Sequence, residues 1–169
     1  MGVRSRPESE LELRDFYAAT YSRLVGTLAL AAGSRGEAED VVQEAFIRLI
    51  ARWAAVRVYD DPEAWVRLVA FRLLSNRLRR ARTAATALLR MHSAPAVPAS
   101  DRDQSDLVAA LRALPLAQRQ VVVLHHLYDL PVDEVAHQLG ISSGTAKSRL
   151  SRARAALAPL LQIREDDHA

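Results

Sequence analysis

Residues 131–157 read PVDEVAHQLGISSGTAKSRLSRARAAL. Pro131 has the fixed φ that suits a helix start, and Asp133 and Glu134 follow where carboxylates complement the positive end of the helix dipole. Val132, Val135, Ala136 and Leu139 share one side of that helix. Gly140 can take the left-handed conformation that ends a helix sharply, and Ser142 is placed to cap the next one by accepting from the amide of Gly144 or Thr145. Small Ala136 allows two helices to approach closely, with Ile141 filling the corner between them. These features at this spacing predict a helix-turn-helix.

The second helix of the pair carries the chemistry. Stepping about 100° per residue puts Ala146, Leu150, Ala153 and Leu157 on the side that faces a core. Ser148, Ser151 and Arg152 point the opposite way, flanked by Thr145, Lys147 and Arg149. Between Gly140 and Arg154 lie three arginines and the chain's only lysine. Guanidinium forks and hydroxyls on such a face can read base edges while the flanking charges neutralise phosphates. A surface helix with solubilising arginines has the same charge run. The coincidence of turn glycine, cap and small packing residue favours the DNA-reading face.

The rest of the chain sets this pair in an all-α protein, because helical periodicity appears nearly everywhere and strand-like alternation almost nowhere. Phe16, Tyr17, Tyr21, Leu24 and Leu28 form one stripe, ending at GSRG (33–36). A second helix is expected from about Glu37 through Trp53, with Val41, Val42, Ala45, Phe46, Leu49 and Ile50 at three- and four-residue steps. The loop VRVYDDP (56–62) precedes a long helix from Pro62 to about Arg82. Met91 to Ser105 has prolines and small residues and no periodicity, which predicts a flexible linker between two small domains. Four short helices follow, about Asp106–Ala113, Leu116–Leu127, Pro131–Leu139 and Ser143–Leu161, and the tail REDDHA (164–169) is expected to fray.

A chain of 169 residues, half of them apolar, can bury one or two modest cores. With no cysteine it has no disulfide framework and no thiolate metal site. The N-terminal stretch lacks the apolar core of a signal peptide, and the longest apolar run, Leu24–Ala32, is too short to span a bilayer, so a soluble cytoplasmic protein without membrane insertion is expected. The formal charge is only +3, yet the arginines cluster. The second cluster, Arg67 to Arg82, sets Arg72, Asn76 and Arg79 on one arc with Trp65, an aromatic beside cations as base stacking and backbone tracking require. Trp65 completing a core and arginines solvating a helix end explain the same residues. No enzyme constellation is visible: His125 and His126 are adjacent and expected on different helix faces, His137 has no partner at metal-ligand spacing, and no phosphate loop occurs. Neither a metal nor a cofactor is expected.

Three blocks in order, AEDVVQEAFIRLIARW (38–53), DPEAWVRLVAFRLLSNRLRR (61–80) and LPLAQRQVVVLHHLYDLPVDEVAHQLGISSGTAKSRLSRAR (114–154), make the chain resemble a bacterial RNA polymerase sigma factor of the extracytoplasmic-function (ECF) type. The resemblance implies a region 2-like domain over 10–82, a linker over 83–105 and a region 4-like helix-turn-helix domain over 106–161. It further implies that Asp40, Gln43, Glu44, Phe46 and Ile50 dock on the clamp helices of the polymerase β′ subunit, with Arg119 near the β flap. Trp65, Arg72, Asn76, Arg77, Arg79 and Arg80 would serve the minus-ten element, where a flipped base is captured. Thr145, Lys147, Ser148, Arg149, Ser151 and Arg152 would serve the minus-thirty-five element. Phe71 and Arg72 stand where the family commonly has an arginine followed by an asparagine, and Ala146 replaces a common valine.

Core RNA polymerase and promoter DNA are the partners implied, and an anti-sigma factor is a further one that the resemblance admits. Its geometry would be two separately folded bundles, each turning a cationic ridge outward, far enough apart to straddle both elements. A stand-alone helix-turn-helix regulator, normally a dimer on duplex DNA, explains the second domain equally well, but leaves AEDVVQEAF and the Trp65 helix without a role.

Overall fold

The computed structural model describes residues 6–89 and 106–162. Its helices in chain order are α1 (Arg6–Ala32), α2 (Arg35–Val56), α3 (Pro62–Leu89), α4 (Asp106–Ala113), α5 (Leu116–Leu127), α6 (Val132–Leu139) and α7 (Ser143–Gln162). No strand occurs among the described residues.

The helix ends follow local chemistry. Gly33, at φ 78°, ends α1, and its amide donates to the Ala29 carbonyl at 2.8 Å. Ser34 then caps α2, its hydroxyl accepting from the Glu37 amide at 3.3 Å. Asp61 caps α3, accepting from the Ala64 amide at 2.9 Å, with Pro62 as the first helical residue. Gly140, at φ 65°, closes α6, while the Ile141 amide donates to the Ala136 carbonyl at 3.0 Å. The Ser142 hydroxyl accepts from the Thr145 amide at 3.1 Å, as the spacing predicted.

Two boundaries differ from expectation. Helix α1 begins at Arg6, well before the aromatic stripe, and α3 runs past Arg82 to Leu89. The added stretch, TAATALL (83–89), is rich in alanine and leucine, whose helix propensity carries α3 into residues expected to be linker. The remaining linker residues, 90–105, and the tail expected to fray lie outside the described residues.

Helices α1 to α3 pack around Leu24, Leu28, Val41, Val42, Leu49, Val66 and Leu74. Phe71, one of the two residues that depart from the family wording, is fully buried there. Phe16, Tyr17 and Tyr21 of α1 surround Phe46 of α2 with ring centroids 4.9–6.2 Å away. The Trp53 indole donates to the Ser9 carbonyl at 3.0 Å, and Arg57 pairs with Glu12 at 2.6 Å, fastening the start of α1 to the end of α2.

The second unit has its own apolar cluster of Ala110, Leu111, Leu114, Val122, Leu150, Ala153 and Leu157. It does not stand apart from the first. Val121, Val123 and Leu124 of α5, with Val135 and Ala136 of α6, belong to the same apolar cluster as α1 to α3. The expected separate bundles are therefore packed together, α5 against α1 and α6 against α3. The reason lies in α1, whose segment Leu24–Ala32 is apolar on more sides than α2 covers, so α5 takes the remainder.

Arg119 sits at this junction and is only 8% exposed. Its Nη2 donates to the carbonyls of Arg112 at 3.2 Å and Leu114 at 3.0 Å. Burial, and then the nearby Arg112 charge, lower its pKa. A Cβ added at Gly33 would lie 2.1 Å from Arg119 Nη1. Gly33→Ala should therefore destabilise the protein by at least about 2 kcal/mol, from left-handed strain plus displaced guanidinium hydrogen bonds. Gly36→Ala, in α2 with no atom within 4 Å of the added Cβ, should be neutral or stabilising by up to about 1 kcal/mol. Denaturant midpoints of the two variants check both outcomes.

Candidate nucleic-acid interface

Helix α7 presents the face that the periodicity required. Ala146, Leu150, Ala153 and Leu157 are buried, and Thr145, Lys147, Ser151 and Arg152 are exposed on the other side. Ser148 and Arg149 are half-buried on its edges. The Thr145 hydroxyl lies 2.8 Å from that of Ser142, so it shares in the cap. Lys147 and Arg152 make no ion pair with an acid among the described residues, which leaves both cations available to phosphate or base. Arg154, one turn on, is directed elsewhere, toward His125 Nε2 at 3.3 Å.

Helix α3 brings its candidates together less evenly. Arg72, Asn76, Arg79 and Arg80 are exposed, and Arg79 donates to the Asn76 side chain. Arg77 pairs with Glu44 of α2 at 3.1 Å, and Arg48 binds the same carboxylate at 2.7 Å. Two residues expected to meet different partners, Arg77 and Glu44, thus meet each other. Trp65 is half-buried and packs on the shared apolar cluster, which is the core-completing one of its two readings. Aromatic volume near a helix start was drawn into the core by the surrounding apolar surface.

Along α2, Asp40 and Gln43 are exposed and Glu44 is half-buried. Phe46 is only 3% exposed and fills the aromatic knot with α1, whereas Ile50 is 58% exposed. Beside it Ile47 is 67% exposed, a residue that motif matching passed over. A helical wheel could have found it, since positions 43, 47, 50 and 54 form a stripe opposite the buried Val42, Ala45, Leu49 and Trp53. The result is an exposed apolar strip edged by Asp40 and Gln43. Arg119, expected near the same partner, is the buried junction residue described above rather than a surface contact.

The histidines also differ from expectation. His125 and His126 do not diverge; their rings meet edge to face with centroids 4.7 Å apart. His125 Nδ1 lies 2.8 Å from the Leu130 carbonyl, and burial, His125 and Arg154 together lower the His126 pKa.

Comparison with known proteins agrees with this architecture. The family model for Sigma-70 region 2 matches residues 16–84, and that for Sigma-70, region 4 matches residues 104–157. The chain is 32% identical over 133 residues to an RNA polymerase sigma-E factor of Streptomyces avermitilis, covering 78% of this chain and 74% of that one. It is 32% identical over 130 residues to the ECF RNA polymerase sigma factor SigM of Mycobacterium tuberculosis, covering 74% and 64%. The sigma factor RpoE of Bartonella quintana, solved with the anti-sigma factor NepR, shares the fold at a TM-score of 0.67 and 20% identity over 90% of this chain and 98% of that one. A relative spanning most of both chains, two sigma region models in the right order and a helix-turn-helix with its cationic face outward leave one assignment: the chain belongs to the extracytoplasmic-function family of RNA polymerase sigma factors, non-enzymatic proteins that direct promoter-specific initiation of transcription.

Proposed function

We propose that residues 10–82 hold core RNA polymerase and the minus-ten element, that residues 106–161 read the minus-thirty-five element, and that 83–105 connect them, with the protein acting in the cytoplasm where polymerase works. No helix of the described residues is long and apolar enough to cross a membrane, in keeping with that location. The observation that carries the reading is the outward face of α7, where Lys147, Ser151 and Arg152 stand exposed above buried Ala146, Leu150 and Ala153. On this reading Arg152 and Ser151 reach base edges in the major groove, while Lys147, Thr145 and Arg149 hold phosphates. In α3, Arg72, Asn76 and Arg79 face the opened minus-ten strand, with Arg80 on the backbone. Polymerase docks on the α2 strip of Ile47 and Ile50, oriented by Asp40 and Gln43.

The stand-alone regulator accounts for the face of α7 but gives the α2 strip nothing to do. For an anti-sigma factor, the surface that fits is the apolar cleft of about 340 Å3 lined by Leu30, Leu111, Val122, Leu127 and Leu157, with His126 and Arg154 at its edge. An amphipathic helix carrying an acidic residue matches that lining.

Transcription from genomic templates by purified core polymerase, with and without the chain, tests the reading, and no promoter-dependent product overturns it. Arg152→Ala should weaken promoters selectively, by about 1–3 kcal/mol where the lost base contact mattered. Equal loss on every promoter would assign Arg152 to the backbone. Lys147→Ala should weaken all promoters alike and reduce the slope of log affinity against log salt by about 1. Ile47→Ser should leave the unfolding midpoint within about 0.5 kcal/mol of the parent, because the side chain is exposed, while weakening binding to core polymerase in a pull-down or fluorescence titration.

A further inference from the structure

Helix α3 meets the helix-turn-helix unit through polar groups. Arg67 of α3 is 7% exposed; its guanidinium lies 4.4 Å from the centroid of the Tyr128 ring, and its Nε donates to Gln138 Oε1 at 3.4 Å. Farther along, Arg72 donates to the His137 carbonyl at 3.1 Å, and the Ser75 hydroxyl donates to Gln120 Oε1 at 3.4 Å. Beyond Ser75 the seam holds a gap of about 120 Å3, lined by Ser75 and Arg79 of α3, Gln120 of α5, Leu139, Ile141 and Arg149 of α7. Gln120 is only 3% exposed, and its Nε2 has no hydrogen-bond partner in the protein.

We propose that this gap is a binding site for a small tetrahedral oxyanion of the phosphate type, held by the guanidiniums of Arg79 and Arg149 and by the buried amide of Gln120. The lining offers donors: two guanidiniums and Gln120 Nε2, while Gln120 Oε1 already receives the Ser75 hydroxyl. No acid lines the gap, and Arg79 has no acid partner among the described residues, its own hydrogen bond going to the neutral Asn76 side chain. Two cations facing one small space repel, and a shared anion replaces that repulsion with charge-assisted hydrogen bonds. The buried Nε2 keeps its full desolvation cost until an acceptor reaches it. Water could accept from it, but water leaves both cations uncompensated.

Size and direction set the class of ligand. The gap is a few times the ~30 Å3 share of one water, room for a single phosphate-sized group with no sugar or base beside it. Its donors come from three helices, α3, α5 and α7, so a group whose oxygens point several ways meets them better than a planar carboxylate. Free phosphate and the end of a phosphate ester share this chemistry, and the rest of an ester has to stay outside. Arg79 and Arg149 are also assigned above to promoter DNA, so a bound ion draws on side chains that DNA uses. Binding measured without DNA keeps the two readings separate.

Calorimetric titration of the full-length protein with inorganic phosphate, in chloride buffer of constant ionic strength, should show one saturable site with a Kd of about 1 mM or tighter. Gln120→Met removes the unpartnered donor at nearly constant length and should weaken the site at least about tenfold. Arg79→Gln, at an exposed position where the fold is insensitive to the change, should weaken it as much, and keeps the test open if Gln120→Met does not fold. Arg52→Gln, exposed on α2 and outside the gap, should stay within about twofold of the parent. Acetate should bind at least about tenfold more weakly than phosphate. Adenosine monophosphate identifies the source: affinity equal to that of phosphate assigns the site to phosphate esters, and weaker binding assigns it to the free ion. No saturable phosphate binding up to about 20 mM overturns the site, as does acetate binding equal to phosphate or an equal loss in Arg52→Gln and Arg79→Gln. Each of these leaves the initiation reading standing.

Discussion

The apolar segment of α1 from Leu24 to Ala32 has too much hydrophobic surface for one neighbour, and the arrangement of the whole molecule follows from how that surface is covered. Leu24, Leu28 and Ala31 are fully buried, with α2 on one flank and α5 on another. Removing such surface from water is worth about 25 cal/mol per Å2, enough to draw the helix-turn-helix unit onto the first three helices. Once α5 lies on α1, the chain connectivity brings α6 alongside α3, and the polar contacts of Arg67, Arg72 and Ser75 are made there. Helix α7, fixed to α5 and α6, keeps its cationic face outward.

Charge is arranged around this apolar frame by proximity. Glu44 lies between Arg48 and Arg77, so a carboxylate suited to a partner's basic groups is already engaged within the chain. Exposed pairs of this kind contribute little to stability and exchange readily. That suits a surface that must give up internal partners for external ones. Lys147 and Arg152 have no acid partner among the described residues, and the face of α7 meets phosphate without first breaking an ion pair. The two basic surfaces therefore differ in readiness: α7 is poised for DNA, and α3 is engaged with its own chain.

Much of the fold was legible residue by residue. Gly140 and Ser142 act as turn and cap because a left-handed conformation and a hydroxyl at that offset are local requirements. Ala146, Leu150 and Ala153 are buried because a step of about 100° leaves no other side for them. The Ser34 cap of α2 was equally readable in SRGE, where a serine precedes a glutamate by three residues, although the stretch reads first as a break. Ile47 was available to the same helical wheel. Such features depend on neighbours within a turn or two, so sequence is sufficient for them.

Trp65, Arg119 and the paired histidines were not legible in that way. A wheel says which residues share a face and is silent on what covers it. Trp65 lies on an arc with arginines, yet it packs on the shared apolar cluster and is half-buried there. Arg119 looks like a surface cation, yet the glycine at position 33 leaves room for its guanidinium beside the α1–α2 corner. By itself the sequence determined the all-helical class, the helix-turn-helix with its glycine stop and serine cap, and the outward chemistry of α7, because these follow from backbone conformation and helical periodicity. Only the tertiary structure decided that the two units close on each other and that α3 is partly covered, because that depends on pairing surfaces far apart in the chain, whose complementarity no local pattern records.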